Sequence, residues 1–279
     1  DLKIPEIKES FTTNCKLLVR NTKACSLFAI REIKNLNNSK SPKWLEHLLK
    51  NIGIGSISPV VDVTNYISYS FGQPMHAYDA DKIENTLTIN TLDSDVNFQA
   101  LNDKDYVLKK GDITIEGKEE IYCLAGIIGS KNSACTNSTK RILLEAAHFS
   151  ANYIAKTGRE LQIDTDSRYR FERNVDKEFT LKALDFATDL ITSICGSESS
   201  TLIYSGNDTL PKKNIDFPID FFKSRTNMEL PSQLISDILS DLGFICKTQE
   251  NSINITIPSW RYDVSIKEDI VEEIVRIYG

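Results

Sequence analysis

The sequence predicts an α+β protein of two domains, a mostly antiparallel sheet with packed helices followed by a smaller α+β domain. Three observations support this: short β-like segments with turn signals run from Thr86 to Phe149, amphipathic helical stripes flank them, and 279 residues exceed what one small core organises. With 41% hydrophobic and 26% charged residues, the chain reads as globular and water-soluble, not disordered, collagenous or membrane-spanning. A net charge of -6 argues against a surface that grips nucleic acid everywhere and leaves room only for a local basic patch.

Residues 14 to 35 cluster apolar side chains in the manner of strands. Ser41 and Pro42 then open a helix whose stripe is Trp44, Leu45, Leu48, Leu49 and Ile52, and Gly53 offers its stop. The run GIGSIS that follows resembles a dinucleotide loop, but it follows a helix and lacks the third glycine, so it is set aside. Ser58, Pro59 and Gly72 punctuate a second helix, and QPMHAYD after it reads as an irregular loop because of its proline and small residues. Turn signals at Asn102-Asp103, Lys110-Gly111 and Gly117-Lys118 divide the β segments that follow. Residues 176 to 195 give an amphipathic helix closed by Gly196, expected to pack on the sheet. Ser205 to Asn214 reads as the linker, followed by a short strand, a helix from Pro231 to Leu242, a hairpin over Phe244 to Ile257 and a helix from about Ile266. The chain begins at Asp1 and stops at Gly279 directly after a helical pattern, so it is expected to be a piece of something longer.

Six scattered cysteines form no Cys-x-x-Cys pair and have no histidine at zinc-ligand spacing; buried thiols in a reducing cytoplasm are the expectation. Asn-x-Thr sequons at Asn137, Asn207 and Asn254 have no signal peptide or spanning apolar run beside them, which argues against glycosylation. There is no Gly-x-Ser-x-Gly elbow, phosphate loop or His-Glu-x-x-His helix. His47 and His148 read as ordinary residues of a helix and a strand end, while His76 sits where a side chain can face a cleft, although a structural histidine is the simpler reading in isolation. Glu145 lies inside the apolar run RILLEAAHF and must face water or a donor, because an unpaired buried charge is costly. Asp62 and Tyr66 read as structural, as do Arg170, Glu172 and Arg173 as an ion-pair set. Helical spacing gathers Asp269, Glu272 and Glu273 near Asp263, an oxygen set of the kind that suits magnesium; the simpler reading is a solvated acidic face.

Taken together, VVDVTNY, GQPMHAYDAD, LAGIIG, LLEAAHF, RYRFERNVD and IPSWRYDVSIKEDIVEEIVRIYG resemble the beta subunits of bacterial phenylalanyl-tRNA synthetases, in the order and spacing of that family. The resemblance implies a tRNA-editing domain over residues 1–205 and a small, winged-helix, DNA-binding-like domain over residues 206–279. It also implies the function, hydrolysis of tyrosine mischarged onto phenylalanine tRNA. A hydrophobic synthetic pocket rejects an added hydroxyl only about a hundredfold, whereas a site that hydrogen-bonds the hydroxyl rejects the analogue lacking it by roughly ten-thousandfold.

Carried over by resemblance, Glu145 accepts the tyrosine hydroxyl, Gly126 and Ala125 leave space for the ring and offer backbone groups, and Thr64, Asn65 and His76 hold the ester and a water as the catalytic set. Asp263, Asp269, Glu272 and Glu273 match positions assigned a magnesium ion shared with the alpha subunit, which is expected to be weak or absent in this chain alone; editing itself would need no cofactor. The implied partners are phenylalanine tRNA and the alpha subunit, in an assembly of two alpha and two beta subunits, with ATP-dependent charging on the alpha subunit; no membrane and no DNA are expected. The alternatives are a scaffold or RNA-binding segment with a degenerate pocket, or a free-standing deacylase. Two departures from the family pattern stand out: Asn174 and Ser130 replace glycines, the first tolerable in a left-handed backbone and the second altering the loop after Gly126.

Overall fold

The computed structural model describes residues 2–279 and divides the chain into two compact units, 1–208 and 209–279. In the first unit the elements run β1 (Glu9–Phe11), β2 (Lys16–Val19), β3 (Cys25–Lys34), α1 (Lys43–Asn51), α2 (Pro59–Phe71), β4 (Met75–Asp79), β5 (Thr86–Thr91), β6 (Val96–Gln99), β7 (Asp105–Leu108), β8 (Ile113–Glu116), β9 (Ile121–Leu124), β10 (Ile128–Gly129) and β11 (Arg141–Phe149). They continue with α3 (Ala151–Glu160), α4 (Asp166–Phe171), a 3-10 turn at Lys177–Phe179, α5 (Thr180–Cys195), β12 (Glu198–Ser200) and β13 (Ile203–Gly206).

One sheet has the order β1-β12-β3-β11-β4, with β13 also paired to β3; a second has the order β10-β9-β8-β5-β2. The pairing is mostly antiparallel, as expected, with β1–β12 and β2–β5 parallel. Period-2 alternation along β11 sorts its side chains to two faces. Ile142, Leu144 and Ala146 pack with Val60, Val63 and Ile67 of α2 and Ala183, Leu184 and Ala187 of α5 in one core, while Leu143, Ala147 and Phe149 join Phe28, Ile30 and Tyr78 in the other. Glu145 therefore points into the second core.

Local chemistry sets the helix ends. Pro59 occupies the first turn of α2, and Gly72 closes it in the left-handed region at φ 73°. The segment QPMHAYD, expected as a loop, is instead strand β4 over Met75–Asp79. It terminates its sheet and pairs with β11, so Pro74, which has no N–H to donate, is tolerated just before it. Helices α3 and α4 lie outside the elements expected from the sequence. In α3, Gly158 is required by close approach, since a Cβ there would lie 2.2 Å from Arg168 Nε.

The second unit comprises β14 (Asn214–Pro218), α6 (Ile219–Thr226), α7 (Ser232–Asp241), β15 (Ile245–Thr248), β16 (Ser252–Thr256) and α8 (Lys267–Tyr278). Its antiparallel sheet, of order β14-β16-β15, packs Phe217, Ile253 and Ile255 against Phe222, Ile235, Leu239, Ile270 and Ile274. Helix α6 was not anticipated. It starts after Pro218 and stops at Asn227, left-handed at φ 58°.

Candidate functional site

Glu145 lies at the middle of β11, opposite Ile30 of β3 on one side and His76 of β4 on the other. Because β11 is paired on both sides, its backbone polar groups are satisfied and the carboxylate is held on a rigid element. The side chain reaches a cavity of about 210 Å³ lined by His76, Gly126, Ile128, Gly129, Ser167 and Phe171 among others. A cavity of about 150 Å³ is enough to bind benzene, so this space accommodates an aromatic ring.

Gly126 adopts φ 68°, and a Cβ there would meet Ile154, Phe149 and Phe171 at 2.9–3.1 Å. A side chain would be both strained and overpacked. A Cβ on Gly129 would come within 2.6 Å of His76 Cε1, so glycine is what lets the imidazole lie against that turn.

Glu145 is 5% exposed and accepts a hydrogen bond from the hydroxyl of Tyr78, which is fully buried on the same face of β4 as His76. Burial pushes the Glu145 carboxyl up to about 7, and the Tyr78 hydrogen bond opposes that shift. Tyr78 is driven well above the usual phenol range by its own burial and by the charge on Glu145, so the shared proton stays on Tyr78. The His76 ring meets Tyr78 edge to face at 4.5 Å, and burial lowers its pKa to about 4. His76 is thus neutral near pH 7, and its buried Nε2 has no hydrogen-bond partner among the described residues. Cys123 also lines the cavity, but burial and the nearby Glu145 charge hold its thiol protonated, so it offers no thiolate nucleophile.

The structure brings His76, Glu145 and Gly126 together and leaves three other expected residues outside the cavity lining. Thr64 and Asn65 ride on α2, whose buried face packs on the opposite side of the sheet; the Thr64 hydroxyl donates to the Val61 carbonyl at 2.8 Å. Ala125 is buried with its N–H donated to the Ile113 carbonyl at 3.0 Å, so it offers no free backbone donor. Sequence reasoning missed Tyr78, although its spacing two residues from His76 places both on one face once the segment is read as a strand.

Several polar groups are structural. Buried Asp62 accepts from the hydroxyls of Ser41 and Ser56 and from the Ile57 N–H at 2.8 Å. Arg168 and Arg173 both pair with Glu172, while Arg170 pairs with Asp166 instead of Glu172. Asn174 is left-handed at φ 65°, and buried Ser130 hydrogen-bonds Ser133 at 3.0 Å. The cysteines are free thiols, four of them buried.

Three of the four carboxylates expected to hold magnesium are already engaged by groups of this chain. Asp263 and Glu273 both bind the Arg261 guanidinium, at 2.7 and 2.8 Å, which holds both carboxyls below their usual range. Asp269 accepts from the Ser265 and Ile266 N–H groups at 2.6 and 3.0 Å, and Glu272 is exposed. Among the described residues no three His, Cys, Asp or Glu side chains are grouped to hold a metal ion. Nor is any helix among the described residues long and apolar enough to cross a membrane.

Residues 24–196 match the family model of the B3/4 domain, and residues 215–279 match that of the tRNA synthetase B5 domain. The chain is 47% identical over 304 residues to the phenylalanine–tRNA ligase beta subunit of Rickettsia felis, covering 100% of this chain and 37% of that protein. It is 44% identical over 250 residues to the subunit of the same name from the Wolbachia of Brugia malayi, covering 88% of this chain and 31% of that protein. The chain thus spans well under half the length of the curated relatives it matches. Its fold is similar to a crystal structure of an N-terminal fragment of the phenylalanyl-tRNA synthetase beta subunit from Pyrococcus horikoshii, with a TM-score of 0.50 at 14% identity, covering 99% of this chain and 78% of that one.

Proposed function

The chain belongs to the phenylalanine–tRNA ligase beta-subunit family, and from that premise we propose that the Glu145 cavity is an editing pocket that hydrolyses tyrosine mischarged onto phenylalanine tRNA. The observation that carries this reading is a buried carboxylate facing a ring-sized cavity, already accepting a phenol from Tyr78. Glu145 has a second carboxylate oxygen that accepts no hydrogen bond among the described residues. A substrate phenol reaching that oxygen gains a charge-assisted hydrogen bond that phenylalanine cannot make.

In this reading His76, neutral and lining the cavity, holds water or the ester. An aminoacyl ester is already activated, so positioning a water against it supplies much of the rate without a side-chain nucleophile. Residues 1–205 would form the editing domain and residues 206–279 the small domain. The alpha subunit would carry ATP-dependent charging, and the tRNA would deliver its mischarged end here. No step is routed through magnesium.

A scaffold role with a degenerate pocket is favoured by one observation: Thr64, Asn65 and Ala125 lie outside the cavity lining. Deacylation of tyrosyl- and phenylalanyl-tRNA by the complete ligase, wild type against Glu145→Ala and His76→Ala, separates the readings. Editing requires hydrolysis selective for tyrosine, with selectivity lost in Glu145→Ala and rate lost in His76→Ala. Equal, slow hydrolysis of both esters by the wild type would support the scaffold.

A further inference from the structure

The editing reading gives Glu145 its task and leaves Tyr78 without one. Tyr78 is a large, fully buried side chain whose hydroxyl is spent on Glu145. The titratable groups around that carboxylate are Tyr78 and His76 from β4, Cys123 from β9 and Cys25 from β3. Their chemistry narrows the choice of partner. His76 is neutral and makes no hydrogen bond to Glu145 among the described residues, and both thiols are held protonated by burial and by the Glu145 charge. The charge of Lys177 bears on Cys25, and among the described residues no cation acts on Glu145 itself. Tyr78 is therefore the group that stabilises the carboxylate by donating to it.

We propose that Tyr78 is a specificity-determining residue of the pocket: its hydroxyl, bound to Glu145 Oε2, keeps the carboxylate in its accepting form and leaves Oε1 to receive the substrate phenol. This rests on the editing reading. Without the Tyr78 hydroxyl, the buried carboxyl would take up a proton in preference to standing charged and unpartnered. A protonated carboxyl is a weaker acceptor for a phenol than a carboxylate. Tyr78 acts through Glu145 and is a positioning residue, not a catalytic one.

The test is the ratio of tyrosyl- to phenylalanyl-tRNA hydrolysis by the complete ligase, measured from pH 6 to 9 in wild type, Tyr78→Phe and Glu145→Gln. The expected wild-type ratio rises with a midpoint near pH 7. Tyr78→Phe should move that midpoint up by about one unit, lowering the ratio about fivefold at pH 7 and restoring it at alkaline pH. Glu145→Gln should show no titration in this range. A merely structural Tyr78 would change overall rate or thermal stability with the midpoint unmoved, and that result overturns the proposal. If Tyr78→Phe does not fold, 3-fluorotyrosine at position 78, a stronger donor, must move the midpoint to lower pH; an unmoved midpoint overturns the proposal equally. A wild-type enzyme with no tyrosine preference would overturn the editing reading itself, an outcome distinct from a preference that ignores Tyr78.

Discussion

Glu145 and His76 are directly opposed residues on adjacent antiparallel strands, facing the same cavity, yet they form no ion pair. Burial pushes both toward neutrality, raising the carboxyl to about 7 and lowering the imidazole to about 4. Near pH 7 the site thus presents a half-ionised acceptor beside a neutral ring. This suits a pocket that reads a phenol without holding a fixed charge pair.

The Glu145 shift makes stability pH-dependent. Its folded pKa, about 7, lies above the ordinary 4.5, so the folded state binds the proton more tightly. The stabilisation is complete below pH 4.5 and is lost as pH rises through 7, a change of about 3 kcal/mol. Glu145→Gln should remove that slope in urea unfolding at pH 5 and pH 8. An unchanged slope would show that Glu145 titrates normally.

His76 carries the opposite sign. Its folded pKa, about 4, lies below the ordinary 6.5, so its contribution is complete above pH 6.5 and is lost as pH falls toward 4. His148 behaves likewise, lowered to about 4 chiefly by burial. Between pH 6.5 and 4.5 two histidine losses thus oppose one carboxyl gain, and the chain should destabilise on acidification by a net ~1.4 kcal/mol per unit. His76→Asn should flatten that fall, and an equally steep acid limb in the variant would contradict the assignment.

Gly126→Ala places a Cβ in a left-handed backbone already crowded by Phe149, Ile154 and Phe171. Destabilisation of about 1–3 kcal/mol is expected, with loss of tyrosine-selective hydrolysis as the rings shift into the cavity. Thermal unfolding and the deacylation ratio measure the two effects. A variant of wild-type stability and selectivity would show that the turn relaxes freely.

In the second unit, Arg261→Ala removes the partner of buried Glu273 and of Asp263. Arg276 still pairs with Glu273, so the expected cost is about 2 kcal/mol and not the larger penalty of a fully orphaned buried charge. Unfolding followed by Trp260 fluorescence should register the loss. No change would mean that Arg276 alone suffices.

Much of this was legible from local chemistry. The proline and glycine that bracket α2, and the apolar run of β11 with one carboxylate inside it, carry their own signals. Around the run Met75–Asp79, Pro74 and small residues mimic a loop, and only its place at the end of the sheet makes that composition compatible with β structure. The loop-like composition also conceals Tyr78, which shares a face with His76 and Glu145 only once the segment is a strand. Helix α4 spans six residues and buries Phe171 alone, too little for a stripe, and the buried face of α3 is Ile154, Thr157 and Gly158, of which one is a strongly apolar marker. The separation of Thr64 and Asn65 from Glu145 is likewise a property of which sheet face each element covers.

The most direct test of the central claim is binding of free tyrosine and phenylalanine to the protein, compared between wild type and Glu145→Ala by calorimetry at pH 8, where the carboxylate is mostly ionised. The account predicts that the wild type prefers tyrosine and that Glu145→Ala binds the two amino acids alike. A Glu145→Ala variant that still prefers tyrosine would contradict it.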